Sequence, residues 1–311
     1  MGRNWRSVKR SLFLFSSADS LNIVVIKKNK ILNMKIKKVI IIPDIHGRKF
    51  WKVIVDKYKN SPDYQIIFLG DYLDPYLWEF SSEDDVYIPS RKFIDEVVDN
   101  FLEIIDVARD STNIKLLLGN HDLHYFPEFK DKWGCRRIDQ KFDYISSIFQ
   151  RNLDLFQICW GLETPIKNYI FSHAGIIQGW LDIITNKKNF GVPEAYYYSD
   201  IMNHSDEDRK LLDIPYTPEG INTLINSKVG REALNMVSRE RGGSWSYGSC
   251  MWADIHEHFY DRTSRLPEYQ IFSHTLSYPD YDLPHIDSNM AMLDCKKGFE
   301  LDLETGTLDV L

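Results

Sequence analysis

The chain has 311 residues, 43% of them hydrophobic and 27% charged, an ordinary soluble globular composition long enough for one large domain or two smaller ones. A net charge of −7 weighs against a nucleic acid held by basic patches. The four cysteines, Cys135, Cys159, Cys250 and Cys295, lack CxxC spacing, which excludes a zinc ribbon or a small disulfide scaffold and predicts reduced thiols in a cytoplasmic protein.

Residues 1–33 read as a leader, disordered or outside the fold. Their apolar part is interrupted by Asp19 and Asn22, and it is too short and polar to span a bilayer. The folded domain is expected over 34–311. Lys38 to Pro43 is a continuous β-branched run and predicts a buried strand. Arg48 to Tyr58 predicts a helix, Ile66 to Leu69 a second buried strand, Pro75 to Pro89 a loop, Arg91 to Arg109 a helix and Asn113 to Leu118 a third strand. This alternation predicts a mostly parallel sheet with covering helices. Further on, a helix is expected at Phe142 to Asn152, with strands at Gln157 to Leu162 and Asn168 to Phe171. A helical insertion is expected over about 179–240. Closing strands are expected at Gln270 to Ser273, Asn289 to Asp294, Phe299 to Asp302 and Leu308 to Leu311.

Five apolar runs end in short polar clusters: Asp44-Ile45-His46-Gly47, Gly70-Asp71-Tyr72-Leu73-Asp74, Gly119-Asn120-His121-Asp122, Ser172-His173-Ala174-Gly175 and Ser273-His274-Thr275. A lone Asp at a strand end is usually a turn or cap residue. Five such clusters together present oxygen and imidazole ligands to one rim, the composition of a two-metal hydrolytic centre.

In these blocks the chain resembles the calcineurin-like metallophosphoesterase superfamily, and within it the serine/threonine phosphoprotein phosphatases. The matching residues are Asp44/His46, Asp71/Asp74, Asn120/His121, His173 and His274, with Met251-Trp252-Ala253-Asp254 similar to the family's Trp-Ser-Asp segment. The resemblance covers roughly 37–294. It implies an α/β (α+β) fold, a two-sheet β-sandwich flanked by helices. It also implies two divalent ions, manganese first, with iron or zinc accepted by the same ligands. Asp44 and His46 would hold one ion, Asp71 would bridge, and Asn120, His173 and His274 would complete the second site. A hydroxide shared by the ions would attack phosphorus. His121 would protonate the leaving oxygen while Asp74 orients it and favours its protonated form.

The family's Asp-Arg-Gly is Asp74-Pro75-Tyr76 here, so its phosphate-gripping arginine is missing. Arg48, Arg136, Arg137 and Arg241 are the available replacements, with Arg48 and Arg241 assigned to substrate. The loss bears on protein-phosphatase activity more than on phosphoester chemistry. The expected activity is hydrolysis of phosphomonoesters, including phosphoserine or phosphothreonine in proteins. Dinucleoside polyphosphate or nucleotide hydrolysis is the alternative enzyme, and a non-catalytic phosphatase-fold binding protein is the alternative of another class. Neither a membrane nor a nucleic acid is expected as partner. His256 and His258 are expected on an exposed polar stretch, and His124 is expected to line the cleft.

Overall fold

The computed structural model describes residues 36–79, 89–132, 134, 136–185, 204–260, 266–276 and 283–311. The leader, most of the Pro75 to Pro89 loop and the middle of the expected insertion lie outside them.

Strand β1 (Lys38–Ile42) is buried from Val39 onward because both of its faces are covered. Ile40 and Ile42 point into the core beneath the helices, whereas Val39 and Ile41 point into a second core between two sheets. Strand β2 (Tyr64–Phe68) and the residue after it repeat the alternation: Ile66 and Phe68 face the helices, Ile67 and Leu69 the second sheet. A continuous apolar run is therefore two alternating faces, each with its own apolar partner. Each fully buried side chain of this kind contributes roughly 1.5–3 kcal/mol.

Helix α1 (Trp51–Tyr58) begins three residues later than expected. Arg48 and its neighbours are instead held by Asn100, whose amide donates to the Arg48 carbonyl at 3.2 Å and whose oxygen accepts from Trp51 Nε1 at 3.2 Å. Helix α2 (Arg91–Arg109) matches the expected bounds. The Ser90 hydroxyl caps it by accepting from Phe93 N–H, and its apolar stripe brings Phe101 onto the Tyr72 ring with centroids 5.3 Å apart.

Strand β3 (Ile114–Leu117) leads into the one-turn helix α3 (Asn120–Leu123). Helix α4 (Phe142–Arg151) follows. The single strand expected at Gln157 to Leu162 is two strands: β4 (Phe156–Gln157) and β5 (Cys159–Glu163), in different sheets. Ile158 is the corner. The Asn222 side chain holds it there, accepting from Ile158 N–H at 2.7 Å and from Cys159 N–H at 3.0 Å. Side-chain capture of two backbone donors 64 and 63 positions away leaves no periodic signal.

After β6 (Asn168–Ser172), the described residues include the short helices Gln178–Ile184, Asp206–Lys210, Pro218–Asn222 and Lys228–Leu234. Helix Ile255–Tyr260 precedes β7 (Tyr269–Phe272). Its His258 is buried, donating from Nε2 to the Ala174 carbonyl at 3.1 Å and stacking on Phe272, and Glu257 is buried too. The expected exposed polar stretch survives only at His256, which projects outward and pairs with Asp254 at 2.6 Å.

The closing strands are β8 (His285–Ile286), which the sequence does not signal, β9 (Met290–Met292), β10 (Phe299–Asp302) and β11 (Leu308–Val310). The first sheet runs β11-β10-β1-β2-β3-β4, parallel from β1 to β4 and antiparallel at β10 and β11. The second runs β5-β6-β7-β9-β8, with β6, β7 and β9 mutually parallel. Val39, Ile41, Ile67 and Leu117 of one sheet share a core with Trp160, Phe171, Ile271 and Ala291 of the other. The fold is thus a mixed α/β sandwich of two mixed sheets flanked by helices. Parallel strands put their carboxyl ends on one side, where the connecting loops form a common rim.

Candidate metal centre

Five loops meet at that rim, after β1, β2, β3, β6 and β7. Asp44, His46, Asp71, Asp74, Asn120, His121 and His173 are all buried. The loops turn sharply. Six described residues other than glycine have positive φ, and four of them are His46 (44°), Asp71 (54°), Asp74 (58°) and His274 (71°). Left-handed backbone at such residues costs about 1–3 kcal/mol each and clusters where geometry serves function.

Two glycines make the approach possible. Gly70 has φ of 109°, and a Cβ on it would lie 2.5 Å from the Gly119 nitrogen. A Cβ on Gly119 would lie 2.2 Å from Asp71 Oδ1. Asp122 locks the two loops together: Oδ2 accepts from Asp71 N–H at 2.7 Å and Gly119 N–H at 2.8 Å, and Oδ1 accepts from Tyr72 N–H at 3.0 Å.

Backbone carbonyls set the imidazole tautomers. His46 Nδ1 donates to the Leu73 carbonyl at 3.0 Å, and His173 Nδ1 to the Leu69 carbonyl at 2.9 Å. Each ring therefore turns a hydrogen-free Nε2 inward. His173 Nε2 lies 2.9 Å from Asn120 Oδ1, an amide oxygen without a hydrogen, and 3.5 Å from Asp71 Oδ2. A cation among these atoms, a proton or a metal ion, offsets the repulsion of lone pairs so close. His274 Nδ1 is 3.1 Å from the same Nε2. Asp71 Oδ2 is also 3.5 Å from His46 Nε2, so one carboxylate oxygen stands midway between two imidazoles. Asp44 Oδ2 is 3.9 Å from His46 Nε2, and its other oxygen accepts from the Ser273 hydroxyl. Ligand atoms of His46, Asp71 and His121 lie within 4.8 Å of one another, as do those of Asp71, His173 and His274. The six residues expected to hold metal thus gather in one place, and their donor set fits divalent ions.

The electrostatics agree with that fit. Burial, reinforced by Asp44, pushes the Asp71 carboxyl well up. Burial pushes His46 and His274 well down, keeping them as the neutral imidazoles that bind metal.

His121 stands beside this group, its ring 5.1 Å from His46. Its Nδ1 donates to Asp74 Oδ2 at 2.9 Å, and the Tyr125 hydroxyl donates to the other Asp74 oxygen. Nothing in the spacing of the polar clusters signals Tyr125, which the turn after helix α3 brings back to Asp74. Burial, then the nearby Arg136, pushes His121 well down, the reverse of what the Asp74 contact alone would do. His124 lies between His121 and Trp252, with ring centroids 5.6 Å from each, and burial brings it down to about 4.

Burial also raises Asp74 to about 7. Its folded-state value therefore exceeds the unfolded one, so the metal-free protein loses stability as pH rises through that interval, and the cost is complete above about 7. Asp74→Asn removes the cost. In metal-free protein the variant should gain on wild type between pH 5 and pH 8 by as much as about 3 kcal/mol, two pH units at 1.36 kcal/mol each. Denaturant titrations of both proteins at both pH values read this directly, and an identical difference at the two would contradict it.

The four arginines part ways. Arg48 is held by both oxygens of Glu79, at 2.7 and 3.1 Å. Arg241 reaches the rim, donating to the His274 carbonyl at 3.0 Å, and its Nε is 3.0 Å from Asp254. Arg137 pairs with Asp139 at 2.7 Å. Arg136 donates to His121 Nε2 at 3.1 Å.

Among solved structures, the chain is similar to a cold-active protein-tyrosine phosphatase of a psychrophilic Shewanella species, with 14% identity and a TM-score of 0.42, over 89% of this chain and 80% of that one. A protein serine/threonine phosphatase from Saccharomyces cerevisiae is 13% identical with a TM-score of 0.42, over 96% and 90% of the two chains. No curated protein matches the sequence. The sequence profile of the calcineurin-like phosphoesterases matches residues 37–278, a span holding every loop of the rim, and the chain belongs to that family of metal-dependent phosphoester hydrolases.

Proposed function

We propose that the protein hydrolyses phosphomonoesters, using Asp44, His46, Asp71, Asn120, His173 and His274 to hold two divalent ions. The observation that carries this reading is the convergence of Asn120 Oδ1, at 2.9 Å, and Asp71 Oδ2, at 3.5 Å, on His173 Nε2, three metal-ligating atoms in one buried place. When bound, such ions supply Lewis acidity, lowering the pKa of a coordinated water and offsetting negative charge on phosphoryl oxygens. The chain's own residues do the rest. Asp71 would serve both ion positions, because its Oδ2 is equidistant from His46 and His173. Ser273 and the Leu69 and Leu73 carbonyls hold the ligands in place. His121 gives a proton at Nε2 to the departing oxygen, and Asp74, steadied by Tyr125, fixes its ring.

Manganese is the ion proposed here, and the same oxygen and imidazole ligands accept iron or zinc. Cys159 and Cys250 are buried free thiols, which supports a reducing, cytoplasmic setting. No helix among the described residues is long and apolar enough to cross a membrane.

The test is p-nitrophenyl phosphate hydrolysis by protein stripped with a chelator and reloaded with Mn²⁺. Stripping should abolish turnover, and Mn²⁺ should restore it while raising the melting temperature. A stripped protein that keeps its full rate would refute the metal reading.

A further inference from the structure

The arginines at the rim differ in one respect that bears on substrate. Glu79, Asp139 and Asp254 offset the charges of Arg48, Arg137 and Arg241. Among the described residues, Arg136 has no carboxylate within salt-bridge distance. Its guanidinium carbon lies 3.7 Å above the centre of the Tyr76 ring, its Nε donates to the Asp74 carbonyl at 3.3 Å, and one Nη donates to His121 Nε2 at 3.1 Å. The Tyr76 ring in turn meets His46 edge-on at 4.9 Å. Arg136 itself has a φ of 57°, a left-handed conformation that side chains other than glycine rarely adopt. The chain thus bends sharply to carry a cation with no ion-pair partner among the described residues onto an aromatic shelf, beside the atom that would face the leaving oxygen.

A guanidinium stacked on an aromatic face keeps its planar fork of donors available, and that fork matches two oxygens on one phosphorus. We propose that Arg136, supported by Tyr76, binds the non-bridging oxygens of the substrate phosphoryl group and thereby favours phosphomonoesters over diesters. This rests on the hydrolytic reading above. A monoester dianion offers the fork more charge and more free oxygens than a diester, whose second ester group takes away one negative charge and one non-bridging oxygen. The contact to His121 Nε2 is then a resting-state bond. On substrate binding the guanidinium turns to the phosphoryl oxygens, and Nε2 is freed.

The test starts with inorganic phosphate, titrated calorimetrically into Mn²⁺-loaded wild type, Arg136→Ala, Arg136→Lys and Arg136→Gln, with melting curves and metal content measured for each. Phosphate affinity should fall about 10- to 100-fold in Arg136→Ala and Arg136→Gln, the range expected for losing charged hydrogen bonds, and by less in Arg136→Lys. Binding needs no turnover, so an inactive wild type would sink the hydrolytic reading while leaving the arginine's role to be judged separately. With active enzyme, kcat/KM for p-nitrophenyl phosphate should fall about 100-fold, and that for bis-p-nitrophenyl phosphate should stay within about threefold. Phosphate affinity unchanged in every metal-loaded variant, or equal losses on both esters, would overturn the proposal. If Arg136→Ala loses metal, Arg136→Gln and Arg136→Lys decide by the same readings.

Discussion

His121→Ala is expected to keep its metal and lose turnover selectively, by about 10²–10³-fold on phenyl phosphate and less than about tenfold on p-nitrophenyl phosphate. The asymmetry follows from the leaving groups. Phenolate is the more basic and needs a proton as the bond breaks, whereas p-nitrophenolate departs unaided. In the resting protein His121 is neutral, because burial and Arg136 both oppose its charge. An arriving phosphoryl group is anionic and acts on Nε2 in the opposite sense, so the proton is taken up when it is needed. Metal retention is expected because His121 Nδ1 is committed to Asp74, and the acceptor cluster at His173 is complete without it. Metal analysis and rates on both esters are the measurements. Equal loss on both substrates, or loss of metal, would remove the acid role.

Asp71→Asn should have the largest effect on the centre itself. The exchange keeps the shape and the oxygen that accepts from His121 N–H at 2.9 Å, but it removes the charge between the two imidazole pairs. Turnover should fall by at least about 10³-fold, the upper range for a single preorganised group. Stability should move in two directions at once. Without metal at pH 8, the variant should melt higher than wild type, because a carboxyl whose charged form burial and Asp44 both disfavour is replaced by a neutral amide. With Mn²⁺ at a hundredfold excess over its dissociation constant, wild type should gain about 2.7 kcal/mol, on the order of 5–10 °C. The variant should gain little. Thermal melts with and without Mn²⁺ report both effects. A variant with the wild-type metal response would show that Asp71 does not bridge.

Much of the candidate centre is legible in the sequence because each residue expected to hold metal sits close to a strand terminus, where periodicity stops and polar residues begin. The run Val39 to Ile42 ends one proline before Asp44, and Ile114 to Leu118 ends at Gly119 before Asn120. Such local breaks can be read without knowing which strands will be neighbours. What escapes is whatever depends on distant partners. The Ile158 corner needs Asn222, the burial of His258 needs Ala174 and Phe272, and the brace on Asp74 needs Tyr125. The arginines show the same limit. Arg48 and Arg241 look available in sequence, but whether a cation is free depends on Glu79 and Asp254 being folded against it. The left-handed turns at His46, Asp71 and Asp74 are equally silent, because these residue types do not require that backbone.

Strand β1 lies inside its sheet, yet one of its two neighbours is β10, with Val39 opposite Leu301 and Ile41 opposite Phe299. The Lys38–Glu300 contact spans 262 positions of chain. At ribosomal speeds of about 5–20 residues per second, that separation is a delay on the order of 10–50 s. Throughout it, an apolar, β-branched edge has emerged from the exit tunnel without its mate. Synthesis of this protein therefore carries a built-in interval of exposure to wrong pairing, during which chaperone occupancy of the nascent chain should be concentrated on its first strand.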